Sequence, residues 1–139
     1  MQLSEIMTSN PVVLRPDTML REAAQKMREL DSGVMPVGDS DRLVGMLTDR
    51  DITVRATADG KDPNTTPVRD VMTSDVVYCF ADDDIELAAR TMEENQIRRV
   101  MVLDRDKRLV GIASLGDIAM HAPTDRLAGE VIEAVSEPS

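Results

Sequence analysis

The chain contains one sequence pattern twice, and this internal repeat constrains its fold more than any other feature. The segment IMTSNPVVLRPDTMLREAAQKM, which starts at Ile6, aligns with VMTSDVVYCFADDDIELAARTM, which starts at Val71. After one extra residue in the second copy, DRLVGMLTDRDI at 41–52 aligns with KRLVGIASLGDI at 107–118. Similarity that keeps its register over such lengths indicates two copies of one structural unit.

The spacing of apolar residues changes in the same order within each copy, which predicts the order of elements. A short apolar run is followed by apolar residues at intervals of three and four, as in an amphipathic helix, with Asp17 and Thr18 as candidate caps in the first copy. Two further runs flank a turn and predict a hairpin, and a second helix follows it. These elements are expected at 12–14, 20–30, 34–37, 43–47 and from Thr48 onward, and again at 76–80, 85–95, 99–103, 109–113 and 114–121.

The predicted architecture is an α/β fold of the α+β type, built from two repeats at 1–58 and 69–122. Residues 59–68 form a linker, because DGKDPNTTP is rich in turn-forming residues. In the tail at 123–139, the apolar spacing from Leu127 to Val135 predicts a short helix. One repeat, with a three-stranded sheet and two helices, exposes too much apolar surface to be stable alone. We therefore expect the two to pack sheet to sheet.

Composition excludes several classes of function. The formal charge of −10 and the pI near 4.5 disfavour nucleic-acid binding, which depends on clustered Lys and Arg. No stretch approaches the about 18 apolar residues that span a bilayer, so we expect neither export nor membrane insertion. The single cysteine, Cys79, lies in an apolar run and favours a cytoplasmic location. The lone His121 offers no metal site, and the absence of a phosphate-binding loop or nucleophile motif predicts that the protein is not an enzyme.

The segments LVGMLTDRDI and LVGIASLGDI, with SGVMPV and IRRVMV before them, resemble the cystathionine-β-synthase-type repeat, the CBS domain. Two such repeats make a CBS pair. The likeness covers residues 3–121 and, with the linker, is similar to stand-alone bacterial CBS-pair proteins of the hypoxic-response type. It implies binding of AMP, ADP, ATP or S-adenosylmethionine in clefts between the repeats, no required cofactor, and assembly as a homodimer.

Thr48 and Asp51 are the first candidate ligand-binding residues. Thr48 stands where a strand ends and a helix begins, so its hydroxyl could meet a phosphate, and a carboxylate at Asp51 could accept ribose hydroxyls. The resemblance implies these roles, and Ser114 and Asp117 form the matching pair in the second copy. A hydroxyl residue before a helix and an acid in its first turn are also ordinary helix caps, so a purely structural role stays open.

Arg98 and Arg99 lie at the entry to a strand of the second copy, where the first copy has Gly33 and Val34. Basic residues at this place contact phosphate in CBS repeats, which makes the Ser114 and Asp117 cleft the better candidate for an anion. A solvent-exposed or ion-paired role for the two arginines is the alternative.

An adenine ring needs an apolar slot, and the resemblance implies that the first strand of the other copy supplies it. Val12 and Val13 would then serve the Ser114 cleft, and Val77 and Tyr78 the Thr48 cleft. An ordinary core position is an equal alternative for all four. Met101, Leu115 and Gly116 depart from the first copy's Pro36, Asp49 and Arg50.

Two functions therefore compete. The first is a regulatory module that senses an adenine nucleotide and signals to a separate, unidentified protein. The second is a structural module for dimerisation or protein interaction that binds no small molecule.

Overall fold

The computed structural model describes residues 1–121, which fall into two compact units. One unit is Val12–Val76, and the other joins Met1–Pro11 to the residues from Val77 onward. The opening segment of each copy thus belongs to the unit built on the other copy. The predicted mixed fold of helices and sheets is confirmed, whereas the repeat boundaries stay a prediction. The tail helix proposed at 127–135 lies outside the described residues.

The strands are β1 Thr8–Ser9, β2 Val34–Asp39, β3 Arg42–Thr48, β4 Tyr78–Phe80, β5 Arg99–Leu103 and β6 Leu109–Ser114. The α-helices are α1 Leu20–Leu30, α2 Asp49–Asp51, α3 Ile85–Glu94 and α4 Leu115–His121. A π-helical segment, Ile52–Thr57, continues α2, and short 3₁₀ turns occur at Leu3–Glu5 and Val68–Asp70.

The unit at 12–76 is built on the antiparallel hairpin β2–β3, which pairs from Val34 opposite Thr48 to Asp39 opposite Arg42, with a shift of register between Val37 and Gly38. Its outer neighbours are single bridges, Leu14 to Val37 on one side and Thr73 to Met46 on the other. The helix α1 packs its apolar stripe into this unit's core, with Leu20, Ala23 and Met27 buried.

The predicted caps of α1 are wrong. The helix begins after Met19, whose side chain makes no capping bond. The chain forms a separate turn just before it, in which Thr18 N donates to Arg15 O at 3.1 Å and Thr18 Oγ1 accepts from Arg15 N at 3.1 Å. Because the Thr18 hydroxyl oxygen accepts its hydrogen bond within that turn, it does not cap the helix.

The other unit contains a four-stranded sheet in the order β1–β6–β5–β4, in which only β4 and β5 run parallel. The helix α3 packs against α4 and β5. The core of this unit is made from aliphatic residues of both layers, including Ile85, Met92, Val100, Val102 and Ile118.

Gly45 and Gly111 hold equivalent places in LVG on β3 and β6, and both allow a second chain segment to approach closely. A Cβ at Gly45 would lie 2.8 Å from Thr73 O, and one at Gly111 would lie 3.0 Å from Thr8 O. Real Cβ atoms do not tolerate the first distance, so glycine here lets the Met-Thr segment of the opposite copy lie against each hairpin.

Within residues 1–121, none of the helices combines the length and the apolar character that crossing a membrane requires.

Candidate functional site

Thr48 and Asp51 bind each other at the start of α2, as the sequence predicts for caps. Thr48 Oγ1 accepts a hydrogen bond from Asp51 N at 3.0 Å, and Asp51 Oδ2 accepts one from Thr48 N at 3.0 Å. This reciprocal pair is a capping box, which satisfies two backbone donors that the helix itself leaves unpaired. Each side chain therefore has a local structural role before any ligand is considered.

The Asp51 carboxylate is also enclosed by two other groups of its own unit. Thr73 Oγ1 lies 3.3 Å from each carboxylate oxygen, and Arg55 Nε lies 3.8 Å from Oδ1. Arg55 in turn donates to Met72 O at 3.2 Å, so the same arginine holds the chain segment that carries Thr73. Asp51 is only 8% exposed. The protein thus already supplies this carboxylate with two hydrogen-bond donors, Thr48 N and Thr73 Oγ1, and with one ion-pair partner, Arg55.

The equivalent residues of the second copy form the same capping box but leave the carboxylate more open. Ser114 Oγ accepts from Asp117 N at 3.0 Å, and Asp117 Oδ2 accepts from Ser114 N at 3.4 Å. His121 stands where the first copy has Arg55, and its Nδ1 lies 2.9 Å from the Asp117 carbonyl oxygen rather than the carboxylate. The exposed Thr8 is the counterpart of Thr73 and pairs with Ile112 on β6.

Asp117 is half-buried, and within residues 1–121 its carboxylate receives a hydrogen bond only from Ser114 N. A carboxylate can accept about four hydrogen bonds. The side chain of Asp117 can therefore receive the hydroxyl groups of a ligand, whereas that of Asp51 would first have to release Thr73 and Arg55.

Arg99 lies directly opposite Ser114 in the β5–β6 ladder. Arg98 O accepts a hydrogen bond from Leu115 N at 2.9 Å, so the backbone before β5 is joined to the first residue of α4. Both arginine side chains are exposed. The fold thus places Arg99, Ser114 and Asp117 as neighbours at the end of β6.

The four residues predicted to contact adenine lie in the first apolar run of each copy, at 12–14 and 76–80. Val12 and Val13 are exposed and precede Leu14, whose N donates to Pro36 O at 2.9 Å. Val77 precedes β4, and Tyr78 opens that strand opposite Met101. The assignment of each pair to the cleft of the opposite copy stays a prediction.

Two residues at the first-copy site, Arg55 and Thr73, were not singled out from the sequence. A signal for Thr73 was present, because it recurs as Thr8 in the MTS of both copies. Arg55 follows Asp51 by four residues, which is the spacing of an ion pair on one face of a helix.

No three His, Cys, Asp or Glu side chains lie together as a metal site in the described part of the chain. Cys79 is a free thiol in the core, and burial raises its pKa. His121 already contacts the backbone of Asp117.

Comparison with known proteins agrees with this description. The model of the CBS domain family matches residues 3–56 and 68–123. Hypoxic response protein 1 of Mycobacterium tuberculosis (strain H37Rv) is 40% identical over 135 residues, covering 96% of this chain and 93% of the relative.

Two solved structures are also similar. The crystal structure of Hypoxic Response Protein I with two coordinated zinc ions has a TM-score of 0.81 and 42% identity, with 88% of this chain and 100% of that chain covered. The CBS domain protein PAE2072 from Pyrobaculum aerophilum, complexed with AMP, has a TM-score of 0.79 and 25% identity, with 96% of this chain and 99% of that chain covered. The chain, with its two matched repeats, therefore belongs to the CBS domain family.

Proposed function

We propose that this protein is a regulatory module that binds one adenine nucleotide per chain, at the second-copy site formed by Arg99, Ser114 and Asp117. The AMP complex of the similar protein PAE2072 supports the class of ligand. The capping box, the neighbouring arginine and the open carboxylate support the choice of this site.

Each residue has a role that follows from its chemistry. The Arg99 guanidinium and the Ser114 hydroxyl hold the phosphate, since charge-assisted hydrogen bonds to phosphate are strong and geometrically specific. Asp117 accepts hydrogen bonds from the ribose hydroxyls. Arg98, which directly precedes that strand, adds positive charge beside the phosphate in an otherwise acidic chain. This arrangement favours AMP, ADP or ATP over S-adenosylmethionine, whose sulfonium and ammonium groups are cationic.

The observation that carries the proposal is the difference between the two aspartates. Asp51 is bound by Thr48, Thr73 and Arg55, whereas Asp117 is bound within residues 1–121 by Ser114 alone. A ligand at the first copy must compete with these internal contacts. A ligand at the second copy adds contacts without breaking any of these.

Nucleotide binding regulates only if the ligand prefers one conformation over another. We propose that the bound nucleotide biases the conformation of the protein, that a separate protein reads the change, and that the chain acts as a homodimer without catalysing a reaction. A cytoplasmic location stays a prediction from the single cysteine.

A thermal-shift panel with AMP, ADP, ATP and S-adenosylmethionine tests the proposal. A ligand at a hundred times its dissociation constant stabilises the folded state by about 2.7 kcal/mol, which raises the melting temperature by several degrees. Titration calorimetry should then give one AMP per chain. If none of the four ligands shifts the melting temperature, the structural module is favoured. Two AMP per chain would contradict the proposal that Asp51 binds only groups of the protein itself.

A further inference from the structure

The helix that follows the hairpin is wound differently in the two copies. In the second copy, Leu115–His121 is an α-helix. In the first copy only Asp49–Asp51 is α-helical, and Ile52–Thr57 is a π-helix, beyond which Ala58 N donates to Thr53 O, five residues back, at 3.1 Å. π-Helical turns are rare and occur often at functional sites. The winding of Ile52–Thr57 therefore needs contacts that stabilise it.

Arg55, in the middle of the π-helical segment, makes such contacts. Its Nε lies 3.8 Å from Asp51 Oδ1, and its Nη1 donates to Met72 O at 3.2 Å. One guanidinium thus joins the acid of the first-copy site to the segment that carries Thr73, whose Oγ1 lies 3.3 Å from both oxygens of the same acid. We call Arg55 and Thr73 the closing pair.

The closing pair supplies the chemistry that a nucleoside would bring to Asp51. The Thr73 hydroxyl donates to the carboxylate as a ribose hydroxyl would. The Arg55 guanidinium supplies positive charge, which a buried carboxylate needs. Asp51 is only 8% exposed, whereas its counterpart Asp117 is half-buried. The closing pair therefore takes the contacts through which Asp51 would bind a ligand.

The first copy also lacks basic residues at the entry to its strand, where Gly33 and Val34 replace Arg98 and Arg99. Its site is thus less suited to a phosphate than the second-copy site. Adenosine, which has ribose hydroxyls and no phosphate, is the probe that fits the residues of the first copy.

We propose that the π-helical segment Ile52–Thr57 closes the first-copy site reversibly. In the π form, the closing pair holds Asp51. Rewinding to an α-helix, the form found in the second copy, turns Arg55 about the helix axis and frees the carboxylate for the hydroxyls of a nucleoside. A ligand favours the open form only by binding it more tightly than the closed form. This inference rests on the proposed function, because it assigns a second, closed site to the same module.

Titration calorimetry with adenosine tests the closing pair in an Asp117→Asn chain, in which the first-copy site is measured alone. Adding Arg55→Met and Thr73→Val should tighten adenosine binding at least tenfold relative to Asp117→Asn. Arg55→Lys keeps the positive charge and should leave the site closed. A matched control is Arg50→Met, since Arg50 is exposed on the preceding turn and forms no ion pair within residues 1–121. It should leave adenosine binding unchanged.

Loss of both contacts also lowers the stability of the fold, so Thr73→Val alone is a second variant. It retains every charge and the ion pair of Arg55, and it should tighten adenosine binding by a smaller factor. Adding Asp51→Asn should abolish the gain in either chain, because the ribose hydroxyls lose their acceptor.

NMR couplings across hydrogen bonds test the rewinding. In the adenosine complex of the Thr73→Val chain, Ala58 N should donate to Val54 O, four residues back, instead of Thr53 O. A retained bond to Thr53 O would overturn the rewinding.

Unchanged adenosine affinity in both the single and the double variant, or an equal gain in the Arg50→Met control, would overturn the role of the closing pair. The proposed function is tested separately by AMP binding to the wild type. A wild type that binds no AMP would refute the second-copy site, whereas the gain in adenosine binding does not depend on that site.

Discussion

Arg99 faces Ser114 across the β5–β6 ladder. The first copy has Val34 opposite Thr48 in the equivalent pair. Residues paired in this way have their Cβ atoms about 5 Å apart, so a long side chain reaches over its neighbour. The two sites therefore share a capping box but differ in the charge beside it.

Replacement of Arg99 by valine, the residue of the first copy, should weaken AMP binding about tenfold, since a charge-assisted bond to phosphate is lost. Adenosine has no phosphate and should bind both proteins equally. Titration calorimetry with the two ligands measures the difference. An equal loss for adenosine would mean that Arg99 supports the fold of the site rather than the phosphate.

The two aspartates should respond in opposite ways to the same substitution. Asp117→Asn should weaken AMP binding at least tenfold while the free energy of unfolding changes by less than about 1 kcal/mol. Asp51→Asn should leave AMP binding unchanged and lower the free energy of unfolding by about 1–3 kcal/mol, because Thr73 and Arg55 lose a charged partner. Calorimetry and urea denaturation measure the two effects. Weakened AMP binding in the Asp51 variant would mean that AMP binds at the first-copy site of Thr48 and Asp51.

Gly45→Ala should destabilise the protein by about 1–3 kcal/mol, because the added methyl group would overlap Thr73 O and Met72 Sδ at 2.8 Å each. Gly116→Ala is the matched control. Its nearest neighbour would be Ser114 Oγ at 3.7 Å, and alanine favours the helix that contains it. Urea denaturation of both variants compares them directly. Equal stability would show that the segment carrying Thr73 moves aside at little cost.

Cys79 should react slowly with a thiol reagent at pH 8 in the native protein. Burial raises the pKa of the thiol, so the thiolate that reacts is scarce below the raised pKa and increases as the pH rises through it. Denaturation in urea should restore the rate of a free cysteine. Absorbance of the released thiolate dye follows both reactions, and a fast native rate would contradict the buried position.

Much of the fold follows from the sequence because its determinants are local. The amphipathic spacing of Leu20–Leu30 predicts α1, and the turn between two apolar runs predicts the β2–β3 hairpin; both are present. The capping pairs at Thr48 and Ser114 are equally local, since their partners lie three residues away. The failed caps at Asp17 and Thr18 show the limit of such reasoning, because a preceding turn used the Thr18 hydroxyl first.

The sequence by itself determined the two repeats, their element order and the hydroxyl and acid pair at each strand end. Only the tertiary structure decided which of the two aspartates, Asp51 or Asp117, has a carboxylate that is accessible to a ligand. Thr73, which is 22 residues from Asp51 in sequence, donates a hydrogen bond to its carboxylate. The counterpart Thr8 occupies the equivalent position opposite Ile112, but in the described part of the chain it makes no such bond to Asp117. Neighbours in sequence set which groups a site contains. Contacts with segments that are distant in sequence determine which of those groups can still accept hydrogen bonds from a ligand.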